Sequence, residues 1–307
     1  MRQGEVAPTG KWIGDPSGGV KAPAPLLLPD PATRFARTAA RLETLSAGHP
    51  MRDWLRFMAQ LATAQHAATA MSAPPAGPGA AEVQLAVEAR LPPLSADGHR
   101  LGPVWYDGLA ALLNHLDAAP IPAAARATIA RLRDREAAKV LADGFLNGSV
   151  DAADAGALLY VAAALQVDFT RLAASLPAAE LRLLPQRGLC PCCGSTPVAG
   201  VITASGPTPG VRYLHCALCA TAWNHTRAVC ITCGASGALE LREIEGGTGA
   251  AKAEVCGTCH TYAKLLYQAR DTSVDPFADD LATLALDLMV GEAGWARHAP
   301  NPLLLIG

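Results

Sequence analysis

Charged residues are scarce in this chain of 307 residues, since Asp, Glu, Lys and Arg together make up only 17% of it. The formal net charge is −2, which gives no basic surface for nucleic acid and no polybasic segment for a membrane. No uninterrupted run reaches the roughly 18–20 apolar residues of a membrane span, and the amino terminus lacks the apolar stretch of a secretory signal. These absences predict a soluble, cytoplasmic protein that is not inserted in a membrane.

Cysteine is also missing from most of the chain, because all nine cysteines lie between Cys190 and Cys259. In a reducing cytoplasm, closely spaced cysteines are more often metal ligands or redox thiols than structural disulfides. The concentration therefore predicts one cysteine-dependent module inside a larger protein.

Eight of the cysteines form four C-x2-C pairs. The pairs are Cys190/Cys193, Cys216/Cys219, Cys230/Cys233 and Cys256/Cys259. The third pair follows the first by 40 residues, and the fourth follows the second by the same number. This repeat indicates a tandem duplication of a unit in which 22 residues separate two pairs.

The spacing of the pairs predicts two mononuclear metal sites with four cysteine ligands each. Two thiolates three positions apart on a tight turn can bind one ion, and Gly194 and Gly234, directly after their pairs, allow such a turn. A unit that already bound its own ion before duplication would place one site within residues 190–219 and the other within residues 230–259. An interleaved arrangement, in which the first pair shares an ion with the third and the second with the fourth, stays open. Both zinc and rubredoxin-type iron suit four thiolates, and composition favours zinc, which makes no redox demand.

Other residues near the pairs are surplus as ligands, because eight cysteines already fill two tetrahedral shells. Cys192 lies inside the first pair and is expected to be a bystander thiol. His215, His225 and His260 are expected to hydrogen-bond to sulfur or to lie at the surface. Basic residues close to the ligands in sequence are expected to offset the negative charge of the sites; they are Arg212, His215, Lys252, His260 and Lys264.

The expected fold is α+β and mainly α, with an N-terminal helical domain before the cysteine module. Residues 1–30, rich in Gly and Pro, are predicted to be a disordered leader, and residues 31–185 a helical domain. Residues 186–261 are predicted to form a tandem rubredoxin-like or zinc-ribbon module with strands at "TPVAGVIT" and "LELREIE". Residues 262–307 are predicted to form a C-terminal helical segment.

Apolar periodicity and helix end signals predict the individual helices. They are expected over residues 30–48, 49–71, 102–118, 121–143, 153–166 and 176–184, and in "CHTYAKLLYQAR" and "VDPFADDLATLALDLMVGEAG". The stretch "GPGAAE" is interpreted as a linker and not as a phosphate-binding loop. The sequence shows no catalytic constellation, which predicts a protein that is not an enzyme.

Several longer motifs resemble one known family. These are "CPCCGSTPVAG", "VRYLHCALCATAW", "KAEVCGTCHTYAKLLYQ" and "DPFADDLATLALDLMVGEAGWAR", with "NPLLLIG" at the end and "LPDPATRFARTAARLETLSAGHPMRDWLRFMAQLATAQ" near the start. Together they make the chain similar to the formate dehydrogenase accessory proteins of the FdhE family from about Leu28 onward. A single C-x2-C pair would not be specific, whereas four pairs in this frame are.

The resemblance implies a cytoplasmic maturation factor without enzymatic activity, which serves respiratory formate dehydrogenases exported by the Tat pathway. It implies that the protein binds the catalytic subunit and that the eight paired cysteines are metal ligands. It favours rubredoxin-type iron in the two sites over zinc. Cys192 and the leader depart from the family pattern, and self-association stays open.

Two other functional classes use similar motifs. A zinc-ribbon protein that binds nucleic acid needs a basic face, but residues 190–259 contain only four Lys and Arg residues. A thiol oxidoreductase needs a C-x2-C pair of low pKa at a helix start, and only Cys256/Cys259 is predicted to precede a helix. Both classes are kept as alternatives, with the oxidoreductase the weaker of the two.

Overall fold

Helices fill the first half of the chain. The computed structural model describes residues 22–71, 75–119, 121, 123–206 and 208–304. The helices of this half are α1 (Arg34–Ser46), α2 (Arg52–Met71), α3 (Ala80–Glu88), α4 (Pro103–Asp117), α5 (Ala123–Leu132), α6 (Arg135–Leu146) and α7 (Ala155–Ala174). Their ends follow local chemistry: Pro103 is the first residue of α4, and the Asp134 carboxylate accepts the Glu136 amide at the start of α6.

Helix α7 is the centre of the helical domain. It packs against α2, α4, α5 and α6, and it is buried on all sides. Leu55 and Leu61 of α2, Leu112 of α4 and Val161 of α7 are fully buried in this core. A helix that is apolar all round is typical of the interior of a protein or of a membrane span.

One helical stretch of the described residues, Ala152–Ala174, is long and apolar enough to cross a membrane by length and composition. It lacks an uninterrupted apolar run because Gln166 and Asp168 lie within it. Its most apolar window is 83% buried inside the protein. The surface that would face lipid is thus covered by the other helices.

Strands dominate the second half. They are β2 (Pro197–Ile202), β3 (Arg212–Cys216), β4 (Ala222–Asn224), β5 (Leu239–Arg242), β6 (Ala251–Cys256), β7 (Thr261–Tyr267) and β8 (Ala296–Arg297), and β1 (Leu26–Leu27) joins them from the N-terminal side. The order in the sheet is β1-β4-β3-β2-β7-β6-β5, with β8 also paired to β7. Two short helices, α8 (Ala278–Ala282) and α9 (Leu284–Glu292), follow β7.

The sheet joins the two cysteine units. Strands β2 to β4 belong to the first unit and β5 to β7 to the second, and each set is antiparallel. The units meet where β2 runs parallel to β7, with Gly200 opposite Leu265. The α+β fold class, with a helical region before the four-cysteine units and helices after them, is confirmed.

Several details of the secondary-structure prediction are wrong. The segment "CHTYAKLLYQAR" is not a helix but contains β7, which pairs with β6 on one side and with β2 and β8 on the other. Residues 176–184 are not a helix but a turn at 178–180 followed by a stretch without regular secondary structure. The assumed linker "GPGAAE" contains the start of α3, where the Gly79 amide donates to Glu82.

The predicted helix over residues 121–143 is in fact two helices, α5 and α6. Leu26–Leu27, within the predicted leader, pair with Ala222 and Trp223 of β4. Residues 1–21 of that leader lie outside the described residues. The domain boundaries proposed from the sequence stay predictions.

Candidate metal centres

The first four-cysteine site gathers both pairs of the first unit. Its sulfurs are those of Cys190, Cys193, Cys216 and Cys219, and all four residues are buried. Sγ of Cys190 lies 3.5 Å from Sγ of Cys219, and Sγ of Cys193 lies 3.4 Å from Sγ of Cys216. The four thiols thus face one common point inside the protein.

The second site repeats this arrangement nearer the surface. Sγ of Cys230 lies 3.8 Å from Sγ of Cys259, and Sγ of Cys233 lies 3.8 Å from Sγ of Cys256. Cys233 is exposed and Cys259 is half-buried, whereas the other two are buried. Both sites have the sequential grouping that the 40-residue repeat favours, and not the interleaved one.

The donor sets fit a tetrahedral metal ion. Four sulfurs at about 2.3 Å from a zinc ion are about 3.8 Å apart, and the four sulfur–sulfur distances given above range from 3.4 to 3.8 Å. A disulfide would bring two sulfurs to about 2.05 Å, and all nine cysteines are free. Within each site the four ligand atoms all lie within 4.8 Å of one another, so each site can hold one ion.

Each cysteine pair closes with a residue of left-handed backbone conformation. Gly194 and Gly234 have φ of +79° and +74°, as their position in the sequence suggests. Ala220 and His260 occupy the same place after the other two pairs, with φ of +60° and +54°. In all four turns, the amide of this residue donates to the carbonyl of the first cysteine of its pair, at 2.9–3.2 Å.

Amide groups also point at the sulfurs. The Leu218 and Cys219 amides donate to Sγ of Cys216, and the Thr232 amide donates to Sγ of Cys230, each at 3.4 Å. These hydrogen bonds favour the charged form of a thiolate. Burial raises the pKa of the Cys190 and Cys193 thiols, so an ion bound at the first site would be what holds them as thiolates.

The helical domain encloses the first site through backbone carbonyls of the two turns. The Leu94 and Ala96 amides donate to the Cys192 and Cys193 carbonyls at 2.9 and 2.8 Å. The Gln166 amide group of α7 donates to the Ala217 carbonyl at 2.8 Å. The first site is therefore part of the interface between the helical domain and the sheet.

The second site borders a cleft of about 720 Å³ between the two units. Cys230 and Cys233 line this cleft together with Arg187, Asn224 and His298. A pocket of this size is in the range of small-molecule or peptide sites.

A chain of side chains leads from the cleft to the second site. His298 Nδ1 lies 2.7 Å from the Thr232 hydroxyl, Thr261 Oγ1 donates to Thr232 Oγ1 at 2.9 Å, and Thr261 Oγ1 lies 3.0 Å from Cys259 Sγ. These contacts fix the Cys259 turn relative to the C-terminal segment.

Most of the basic residues near the ligands in sequence are neutralised elsewhere. Arg212 pairs with Glu254 at 2.6 Å, and Lys252 with Glu243 at 2.8 Å. Lys264 is buried between Asp280 and Asp287. The arginine and the two lysines that were predicted to offset the thiolate charge are therefore paired with carboxylates.

The three histidines lie outside the four-sulfur groups. Burial, with the Arg37 and Arg34 charges, lowers the pKa of His215 to about 4, so this ring is neutral at neutral pH. His225 accepts a hydrogen bond from Arg212 at 2.6 Å, and the His260 ring packs on Trp295 with centroids 5.4 Å apart. Cys192 is buried but is not a member of the first group of four sulfurs.

One cation close to the first site has no signal in the sequence. Arg34 of α1 reaches the turn between Cys216 and Cys219, although it lies more than 180 residues earlier in the chain. No local spacing can reveal this contact, because it arises from tertiary packing.

Family models match almost the whole described chain. The N-terminal model of FdhE matches residues 23–185, the central domain of FdhE matches residues 189–227, and the C-terminal domain matches residues 228–304. The chain is 38% identical to the Protein FdhE homolog of Edwardsiella ictaluri, over 95% of this chain and 94% of that protein. It is 36% identical to the homolog of Haemophilus ducreyi, over 94% and 95% of the two chains.

A solved structure has the same fold. The crystal structure of the FdhE protein from Pseudomonas aeruginosa is 35% identical in sequence, with a TM-score of 0.80. The similarity covers 91% of this chain and 98% of that one.

Proposed function

The chain belongs to the FdhE family, and from that premise we propose that it is a cytoplasmic accessory protein that binds the catalytic subunit of a respiratory formate dehydrogenase. It assists maturation of this subunit before export by the Tat pathway. The observation that carries the proposal is the presence of two complete four-cysteine sites of unequal exposure in one sheet. One site is enclosed by the protein, and the other faces a cleft in which a partner can bind.

In this proposal the eight paired cysteines hold two mononuclear ions. Cys190, Cys193, Cys216 and Cys219 hold the first, and Cys230, Cys233, Cys256 and Cys259 hold the second. Iron would supply an acceptor for one electron, whereas zinc would supply only folding energy to a small module. Family resemblance favours iron.

The partner is proposed to bind at the second site. Cys233 is exposed there, and the cleft beside it is lined by side chains that can exchange hydrogen bonds with a peptide, among them Arg187 and Asn224. The first site has no comparable exposure, since all four of its cysteines are buried. Recognition of the client therefore belongs to the second unit in this proposal.

The grouping of the paired cysteines agrees with a role that does not involve catalysis. Grouping of eight cysteines into two sets of four leaves none of the four C-x2-C pairs as a separate dithiol, which argues against a thiol oxidoreductase. Pairing of Arg212 and Lys252 with glutamates removes two of the four basic residues of the cysteine region, which argues against binding to nucleic acid.

Capture of the purified, immature catalytic subunit by the tagged full-length chain under anaerobic conditions tests the proposal. We expect the wild-type chain to retain the subunit and the C230S/C233S variant to retain at least about tenfold less, because loss of that turn disorders the exposed site. The matched control is Cys192→Ser, which removes a buried thiol outside both groups. Absence of any binding by the wild type, or a salt-dependent shift of random DNA at physiological ionic strength, would contradict the proposal.

Metal analysis after anaerobic purification identifies the ions. About two irons per chain, with a thiolate charge-transfer band that bleaches on reduction, would support redox-capable sites. Two zinc ions in a colourless protein would make the module a structural docking surface.

A further inference from the structure

The guanidinium group of Arg34 lies between the helical domain and the first four-cysteine site. Arg34 is the first residue of α1, and its Nη1 donates to the Gln166 carbonyl at 3.3 Å and to the hydroxyl of Thr170. The same nitrogen lies 3.4 Å from the Leu218 carbonyl, in the turn between Cys216 and Cys219. One nitrogen atom therefore links α1, α7 and a ligand turn.

Apolar rings hold this cation in place. The centre of the guanidinium group lies 4.5 Å from the Phe35 ring centroid and 4.4 Å from the Phe277 ring centroid. Its Nε is buried without a hydrogen-bond partner among the described residues. A cation in such surroundings is costly unless a negative charge lies nearby.

The first site supplies that negative charge. Four thiolates around a divalent ion carry a net charge of −2, and around ferric iron a net charge of −1. Burial lowers the pKa of Arg34 to about 10, while the Cys219 and Cys216 thiolates, and after them Asp275, act in the opposite direction. Arg34 thus keeps its positive charge at neutral pH beside a buried, negatively charged group.

The second site is built differently. Thr258 occupies the place in its turn that Leu218 has in the first unit, 40 residues earlier. The two lysines nearest the second site in sequence, Lys252 and Lys264, are paired with Glu243 and with Asp280. Cys233 of the second site is exposed, so this site is open to solvent where the first is enclosed.

We propose that Arg34 is a positioning residue that supplies the counter-charge of the first four-cysteine site and couples ion binding there to the docking of α1. The proposal depends on the metal-binding part of the proposed function. An ion at the first site stabilises the position of α1, and docking of α1 in turn raises the affinity of the site. The helical domain thereby reports whether the first site is filled.

The test compares Arg34→Gln with Arg34→Lys in the full-length, zinc-loaded chain. Zinc transfer to a competing chelator is measured, and alkylation of the released thiols with mass spectrometry identifies the site. We expect Arg34→Gln to lower the zinc affinity of the first site by about 10- to 100-fold, the usual effect of losing a group that supports a metal ligand. The second site should keep its affinity, and Arg34→Lys should restore most of the loss. Arg56→Gln, an exposed arginine of α2, is the matched control.

A second measurement needs no variant. Hydrogen exchange of residues 34–46 is compared between the zinc-loaded and the stripped wild-type chain, and we expect at least about tenfold faster exchange after stripping. Equal exchange, equal loss at both sites in Arg34→Gln, or an effect of Arg34→Lys as large as that of Arg34→Gln would overturn the proposal. A wild-type chain that binds no ion would instead refute the metal-binding part of the proposed function.

Discussion

Gly200 of β2 lies directly opposite Leu265 of β7, and this register joins the two cysteine units into one sheet. A Cβ atom at position 200 would lie 2.7 Å from Leu265 Cδ2 and 3.4 Å from Leu214 Cδ2. Leu265 is only 3% exposed and cannot move aside freely. The absence of a side chain at Gly200 thus permits the contact between the units.

Replacement of Gly200 by valine should therefore weaken the junction. We expect the free energy of unfolding to fall by about 1–3 kcal/mol, the usual cost of overpacking a filled core. Chemical denaturation measures the change. Gly156→Ala is the control, because that helical glycine has open space around it and alanine favours a helix. Equal stability of Gly200→Val and the wild type would show that β2 and β7 can move apart to accept a side chain without loss of free energy.

Each cysteine unit should lose its ion independently of the other. Replacement of Cys190 and Cys193 by serine removes two ligands of the first site only, because the structure groups the sulfurs in sequence. We expect metal analysis to show one ion fewer per chain, with Cys230 still protected from thiol reagents. Rapid labelling of Cys230 in this variant, with Cys216 protected, would instead indicate the interleaved arrangement.

The two sites should also differ in their reaction with thiol reagents. Cys233 is exposed and Cys259 is half-buried, whereas all four cysteines of the first site are buried. In the metal-loaded chain we expect alkylation at Cys233 at least about tenfold faster than at Cys190, because the rate depends on access to the sulfur. Time-resolved mass spectrometry measures the order. First modification of Cys190 would contradict the burial seen here.

The sequence could predict the two sites because their ligands are local. A pair such as Cys190 and Cys193 lies on one turn, and the repeat of 40 residues relates the units without any knowledge of the fold. The sequence indicates only some of the left-handed turn residues, since a glycine such as Gly194 predicts this conformation and an alanine such as Ala220 does not. Ala220 adopts this conformation where its amide closes the turn by donating to the Cys216 carbonyl.

Features that depend on tertiary packing could not be predicted from the sequence. The apolar stretch that forms β7 has both helical and strand character, and its pairing with β2 and β6 decides the outcome. Lys264 was expected near sulfur, but burial forces it to pair with Asp280 of α8. Arg34 was not expected there, because its neighbours in sequence give no sign of the first site.

The stability of the fold should depend on pH through Asp271. Hydrogen bonds from the Ser273 hydroxyl and amide, together with Arg41, lower the pKa of this carboxyl to about 2. A carboxyl whose pKa is lowered by folding stabilises the protein above its unfolded pKa of about 4, and this contribution is lost as the pH falls toward 2.

Asp271→Asn should consequently lower the free energy of unfolding at pH 7 by about 1–2 kcal/mol, with the smaller value expected because the side chain is 32% exposed. The difference from the wild type should shrink between pH 4 and pH 2, which denaturation at several pH values measures. Asp53→Asn is the control, since the Asp53 side chain is 88% exposed and pairs with its sequence neighbour Arg52. A difference that stays constant down to pH 2 would show that Asp271 acts through shape and not through its charge.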